Sequence, residues 1–206
     1  MVFSKRLLRN SIVAVMAILA LATAAFAQDS AAPNNDAGLH VHIKNFGQMD
    51  ARFYRGAQPG KDDYKDLAAL GIKTIIDLRE DPEAYERPLA ESFGMRYVNI
   101  PMVGKKYPTA EATAAFLKTV SDPATGKFFV HCAGGRHRTG AMGAVYRFKF
   151  YGWNLDQVYK EMKQYDFYTS WGHKAFKDFV EDYYAQSQLN QSGKIGGPQT
   201  NSEKHH

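Results

Sequence analysis

The chain has 206 residues, 45% of them hydrophobic, which suits one domain with a packed core. Its formal charge of +5 is too mild for a nucleic-acid binder, which would show a basic stripe. A single cysteine excludes an internal disulfide framework.

The first residues do not belong to that core. Lys5, Arg6 and Arg9 precede the apolar run "SIVAVMAILALATAAFA", which ends in the small-residue pattern Ala25-Phe26-Ala27. This predicts a secretory signal peptide over residues 1–27 and a periplasmic or secreted mature chain. The run from Ile12 is short for a bilayer span and a cleavage pattern follows it, which argues against a stable membrane anchor. No cysteine stands at the cleavage site, as a lipoprotein would need. Cleavage removes three basic and no acidic side chains and leaves a formal charge of +2. In an oxidising compartment a spare thiol is a liability, so the lone Cys132 favours a reactive role.

Residues 28–38 are small and polar and read as a flexible leader to a domain over 39–185. From Leu39 apolar and polar residues alternate: Leu39, Val41 and Ile43 against His40, His42 and Lys44. That pattern predicts a half-buried strand. His40 and His42 form an H-x-H pair, more simply read as two solvent-facing strand residues than as metal ligands; no metal or cofactor is expected. A strand running into a turn fits 52–60 and a helix 61–70, stopped at Gly71. "IKTIIDL" (72–78) is almost wholly apolar and β-branched, as a strand covered on both faces should be.

A helix fits 82–92, a strand 95–100, and a helix starting near Thr109, whose hydroxyl can cap it. "KFFVHC" (127–132) reads as a core strand and 138–152 as a helix closed by Gly152. Helices follow near 154–164 and 170–185, the latter with Trp171, Ala175, Phe179 and Tyr183 on one apolar face. The polar stretch 186–206 reads as a disordered tail. Strands alternating with helices predict an α/β domain, a largely parallel central sheet flanked by helices.

Cys132 closes a buried strand in "HCAGGRHRTG" and Arg138 opens a helix five residues later. In such a strand–loop–helix unit the amides of Ala133, Gly134, Gly135, Arg136, His137 and Arg138 converge with a helix N-terminus on one point. An anion fits there. The same positive potential favours thiolate over thiol at Cys132. A phosphate in that cradle faces a sulfur nucleophile, with an arginine placed to hold two of its oxygens.

The loop resembles the His-Cys-x5-Arg-Ser/Thr signature of the cysteine-dependent protein tyrosine and dual-specificity phosphatases. "FYRGAQP" (53–59), "GIKTIIDLRED" (71–81) and "EMKQYDF" (161–167) are similar to the compact atypical dual-specificity branch. The resemblance covers about residues 40–185 and implies the fold of that superfamily in an exported bacterial member. It makes Cys132 the nucleophile of a phosphocysteine intermediate and Arg138 the phosphate clamp. Thr139 becomes the hydroxyl that stabilises the thiolate, and His131 the residue that orients the loop. A rhodanese-like sulfur transferase also uses a cysteine loop, but the flanking His131 and Thr139 fit phosphatases better.

Many relatives carry a general-acid aspartate after the strand equivalent to 95–100. Here that loop is "PMVGKKYP", without an acid. Histidine can donate a proton near neutral pH, so His137 is the leading candidate acid and Asp81 the second, beside its ion-pair partner Arg79. The expected substrate is a phosphotyrosyl or mixed phosphoprotein. An inositol phosphate or phosphoinositide is the alternative, with Arg136, Lys105 and Lys106 meeting extra phosphates, and a non-catalytic phosphate-binding module ranks last.

Overall fold

The computed structural model describes the backbone of residues 41–195 and the side chains of 41–190. The expected signal peptide, the leader, Leu39, His40 and residues 196–206 lie outside the described residues. The chain divides after Pro33, and every described residue belongs to the second unit, Asn34–His206.

Five strands form one sheet: β1 (Gly47–Gln48), β2 (Phe53–Ala57), β3 (Thr74–Arg79), β4 (Arg96–Met102) and β5 (Phe128–Cys132). Their order is β1-β2-β5-β3-β4, with β1 antiparallel to β2 and every other pair parallel. The strand that ends in the cysteine is therefore the central one. β2, β3 and β5 are buried along their whole length, as continuous apolar runs in a parallel sheet must be.

Alternate side chains feed two cores. Tyr54, Ile75 and Phe129 point to the side packed by α1 (Asp63–Ala69) and α2 (Glu86–Ser92). Phe53, Ile76, Phe128 and Val130 point to the side packed by α3 (Ala110–Ser121), α4 (His137–Tyr146), α5 (Leu155–Gln164) and α6 (Lys174–Ile195). The α/β expectation holds. The Thr109 hydroxyl caps α3 by accepting from the Ala112 N–H at 3.1 Å, a contact generally worth about 1 kcal/mol.

Five expectations need correction. The segment 41–46 is not a strand: Val41–Ile43 alternate in burial as predicted, but Asn45 takes a positive φ of 54° and turns the chain, so pairing starts only at Gly47. The helix foreseen over 82–92 begins at Glu86, because 82–85 form a loop and turn in which the Tyr85 hydroxyl donates to the Pro59 carbonyl at 2.9 Å. The helix foreseen over 138–152 starts at His137 and widens into a π-helical turn over Arg147–Tyr151 before Gly152 ends it at φ 63°.

The last helix starts at Lys174, since Trp171 (φ 58°) and Gly172 (φ 84°) are left-handed. Trp171 is 82% exposed, and the apolar face is Phe176, Phe179, Val180 and Tyr183 instead. The same helix runs on to Ile195, so residues 186–195 are not a disordered tail. Extending a nucleated helix gains one hydrogen bond per residue and needs no apolar face. No helix among the described residues is long and apolar enough to cross a membrane.

Candidate active site

Residues 133–136 carry the chain from the C-terminal end of β5 to the start of α4, at the edge where ligands bind in open parallel sheets. The loop bends at Gly135, whose φ is 65°. A Cβ there would lie 2.4 Å from the Gly56 carbonyl carbon and 2.5 Å from the Ala57 nitrogen. Only glycine satisfies both the dihedral and the approach to β2. The loop carbonyls are tied from outside: Asn45 Nδ2 donates to Gly134 O at 2.8 Å and Arg55 Nη2 to Gly135 O at 2.6 Å. With the carbonyls held away, amide groups serve the centre.

At that centre Cys132 is buried. Burial pushes its thiol pKa up, but the Thr139 hydroxyl, the Arg138 charge and the Thr139 and Gly134 N–H groups outweigh this, and the net direction is down. The Thr139 hydroxyl is buried and has no other hydrogen-bond partner among the described residues. Arg138 Nη1 donates to Met102 O at 3.1 Å, which anchors the guanidinium at the end of β4. A cavity of about 280 Å³ opens above the thiol, lined by Cys132, Ala133, Gly134, Arg136, His137 and Arg138, with Gly104, Lys105, Tyr168, His173 and Phe176 opposite. Of the signature residues, Cys132, Ala133, Gly134, Arg136, His137 and Arg138 line this cavity, whereas His131, Gly135 and Thr139 do not.

His131 faces away from it. Its Nε2 lies 3.2 Å from Glu86 Oε2 and its Nδ1 3.8 Å from Asp77 Oδ1, all three side chains being fully buried. The contact with Glu86 is at ion-pair distance without hydrogen-bond alignment. Asp77 is fixed in turn by the Tyr97 hydroxyl at 2.7 Å and the Arg79 N–H at 2.8 Å. Asp77, Glu86 and His131 are metal-ligand types within reach of one another. One donor atom from each lies within 4.8 Å of the others. The trio holds the end of β5 against β3 and α2.

His137 does not fit the role of general acid. Its Nε2 lies 2.9 Å from the Tyr168 carbonyl oxygen, and its ring is boxed by Phe167, Tyr168, His173 and Phe176. Burial first, then His173 and the charges of Arg136 and Arg138, push its pKa down to about 4 against the pull of the Tyr168 carbonyl. The ring is therefore neutral where an acid must carry its proton. Asp81 is exposed and pairs with Arg79 at 3.3 Å, outside the cavity lining. Lys106 is exposed and does not line the cavity either.

The sequence reading missed Arg55, Glu86 and His173. Arg55 is buried beneath the loop with its guanidinium 4.0 Å from the centre of the Tyr165 ring. Burial lowers its pKa to about 10, which leaves it charged at neutral pH. A cation inside the otherwise uncharged stretch "FYRGA" was the available signal. Glu86 in the first turn of α2 looked like an ordinary helix-dipole acid, and His173 like a loop residue.

A buried thiol of lowered pKa in an amide cradle, on a parallel sheet with an arginine and a hydroxyl at the helix start, defines a cysteine-dependent phosphatase. The chain belongs to the family described as DSP-PTPase phosphatase fused to NAD+ kinase, whose model matches residues 40–181. Among curated relatives, OCA1 of Mycosarcoma maydis, named among the tyrosine-protein phosphatases, is 30% identical over 128 residues, 59% of this chain and 79% of that one. In fold the chain is similar to the core catalytic domain of the PP-IP phosphatase SIW14 from S. cerevisiae. That structure has a TM-score of 0.60 and 22% identity, covering 74% of this chain and 93% of the other. The crystal structure of TpbA from P. aeruginosa is likewise similar, with a TM-score of 0.61, 22% identity and 72% and 91% coverage.

Proposed function

We propose that the chain hydrolyses phosphotyrosyl or mixed phosphoprotein monoesters, with Cys132 as the nucleophile. The observation that carries this substrate class is the wall of rings beside the cradle: Tyr168, His137, His173 and Phe176 all line the cavity over Cys132. Flat apolar faces suit the ring of an aryl phosphate. A second cavity of about 970 Å³ between α5 and α6 shares Tyr168 with the first and is lined by Tyr159, Phe167, Lys160 and Lys163, room for the flanking peptide. A structure of P. aeruginosa TpbA in complex with pTyr accords with this reading.

In the reaction the Cys132 thiolate attacks phosphorus, the S–P bond forms and the P–O bond to the leaving group breaks. Arg138 and the loop amides hold the equatorial oxygens as charge builds on them. Water then attacks phosphorus, the S–P bond breaks, and thiolate and inorganic phosphate are released. Thr139 stabilises the departing thiolate.

An inositol phosphate is the second reading, favoured by Lys105 and Arg136 in the cavity lining and by the naming of SIW14 as a PP-IP phosphatase. Turnover of a phosphotyrosyl peptide, a phosphoseryl peptide and an inositol polyphosphate decides between them. The phosphotyrosyl peptide should give the highest kcat/KM, and Cys132→Ser should abolish turnover on all three. A higher kcat/KM on the inositol polyphosphate would make the second reading the correct one. Residues 1–27 support export of the mature chain to an oxidising compartment, where the single thiol cannot be masked in an internal disulfide.

A further inference from the structure

Breaking the P–O bond of a phosphate monoester leaves a basic oxygen that needs a proton as it departs. Among the described residues no carboxylate lines the cavity. Asp81 is committed to Arg79, and Asp166, on the neighbouring loop, lies 3.5 Å from Arg136 outside the lining. Imidazole is the side chain whose ordinary proton affinity matches neutral pH, and two imidazoles line this cavity. His137 is occupied at Nε2 by the Tyr168 carbonyl.

His173 is likewise held by one carbonyl, but it is half-buried at the cavity where His137 is buried. Its Nδ1 lies 3.0 Å from the Ser170 carbonyl oxygen, which as an acceptor fixes a proton on Nδ1 and leaves Nε2 as the exchanging nitrogen. No described residue hydrogen-bonds that Nε2. The ring lies nearly parallel to His137, 3.7 Å between centroids at 18°, and edge-on to Tyr168 at 5.0 Å.

We propose that His173 protonates the leaving oxygen and then takes the proton of the hydrolytic water. In the first step the Nε2–H proton passes to the leaving oxygen as the P–O bond breaks and the S–P bond forms, leaving His173 neutral. In the second step neutral Nε2 accepts a proton from the attacking water as the S–P bond breaks, which restores imidazolium and thiolate. The two steps balance without any further reactant. The groups that face His173 are His137 from α4, Tyr168 from its own loop, Arg136 and Arg138 from the catalytic loop, and Lys105, whose stem runs beside Gly172. On the helix that follows, Lys174 and Lys177 are paired with Asp178 and Glu181.

The inference rests on the phosphatase reading, and its test separates the two. His173→Ala and His173→Gln are compared with wild type on 4-nitrophenyl phosphate, whose leaving group needs no proton, and on phenyl phosphate, whose leaving group does. General acids contribute about 10²–10⁴-fold, so kcat/KM on phenyl phosphate should fall at least ~100-fold further than that on 4-nitrophenyl phosphate, which shares any loss from the missing ring face. The alkaline limb of the wild-type pH profile on phenyl phosphate should vanish in both variants. A burst of 4-nitrophenolate should appear, because the second step has lost its base. Equal falls on the two substrates, or an alkaline limb that survives, overturn the assignment. Vanadate affinity reports an intact cradle, and His173→Gln, which can still donate to the Ser170 carbonyl, is decisive if His173→Ala is misfolded. Turnover retained in Cys132→Ser would instead overturn the phosphatase reading itself.

Discussion

At the scale of single residues, Gly135 carries the tightest constraint in the catalytic loop. The atoms that a Cβ would strike belong to the backbone of β2, which cannot swing aside as a side-chain end can. Gly135→Ala should therefore lose more than ~100-fold in turnover and lose vanadate binding, and the forced left-handed backbone alone should cost about 1–3 kcal/mol. Circular dichroism with vanadate titration checks both. His137 makes a second prediction. Its folded pKa is about 4 against an ordinary 6.5, so the unfolded chain binds this proton first as pH falls. Stability is therefore present above pH 6.5 and is lost as pH drops towards 4. Between pH 7 and pH 5 the loss should be about 2 kcal/mol, and urea unfolding of His137→Gln should show a flatter pH dependence over that range. A variant with the same slope as wild type would show that other groups govern acid stability.

At the scale of elements, the π-helical turn after α4 serves an ion pair rather than the active site. Arg147 is buried, donates from Nε and Nη2 to Glu161 of α5 at 2.5–3.1 Å, and reaches the Met49 carbonyl at 2.6 Å. Its guanidinium lies 4.8 Å from the Tyr151 ring centre and 4.2 Å from that of Trp153. Arg147→Lys keeps the charge but loses the fork and the stacking. Partial loss of a buried pair with its partner left in place should cost about 2–4 kcal/mol, read as a lower urea midpoint. The elements themselves were mostly legible. The apolar runs at 72–78 and 127–132 are strands because a central parallel strand is covered on both faces, and Thr109 caps where its type said it would. The errors fall where local pattern and tertiary pairing part. Val41–Ile43 alternate correctly but find no neighbour to pair with, and Trp171 has the right spacing but the wrong backbone.

At the scale of the molecule, the position of the thiol on the central strand makes export and chemistry one question. If residues 1–27 direct secretion, the mature chain should begin at Gln28, and mass spectrometry of exported protein would show it. An intact Met1 end on that material would refute the signal. A lone cysteine of lowered pKa should also lose activity to peroxide, with thiol reagents restoring it while oxidation stops at the sulfenic acid.

By itself the sequence determined the α/β class, the strand–loop–helix unit around Cys132 and the chemistry that unit implies. Those features are local: an apolar run, two glycines and a helix start lie within a few residues of one another, and their spacing is their geometry. Tertiary structure alone decided which groups surround the unit. Arg55 supports a carbonyl 80 residues away, and Asn45 one 89 residues away. Glu86 meets His131 across α2 and β5, and His173 comes from beyond α5 to cover His137. Proton affinity follows burial and neighbouring charge, and both are set by such long-range packing. That is why the sequence pointed to His137 as the acid, and why the folded chain makes it neutral and brings a second histidine to the cavity.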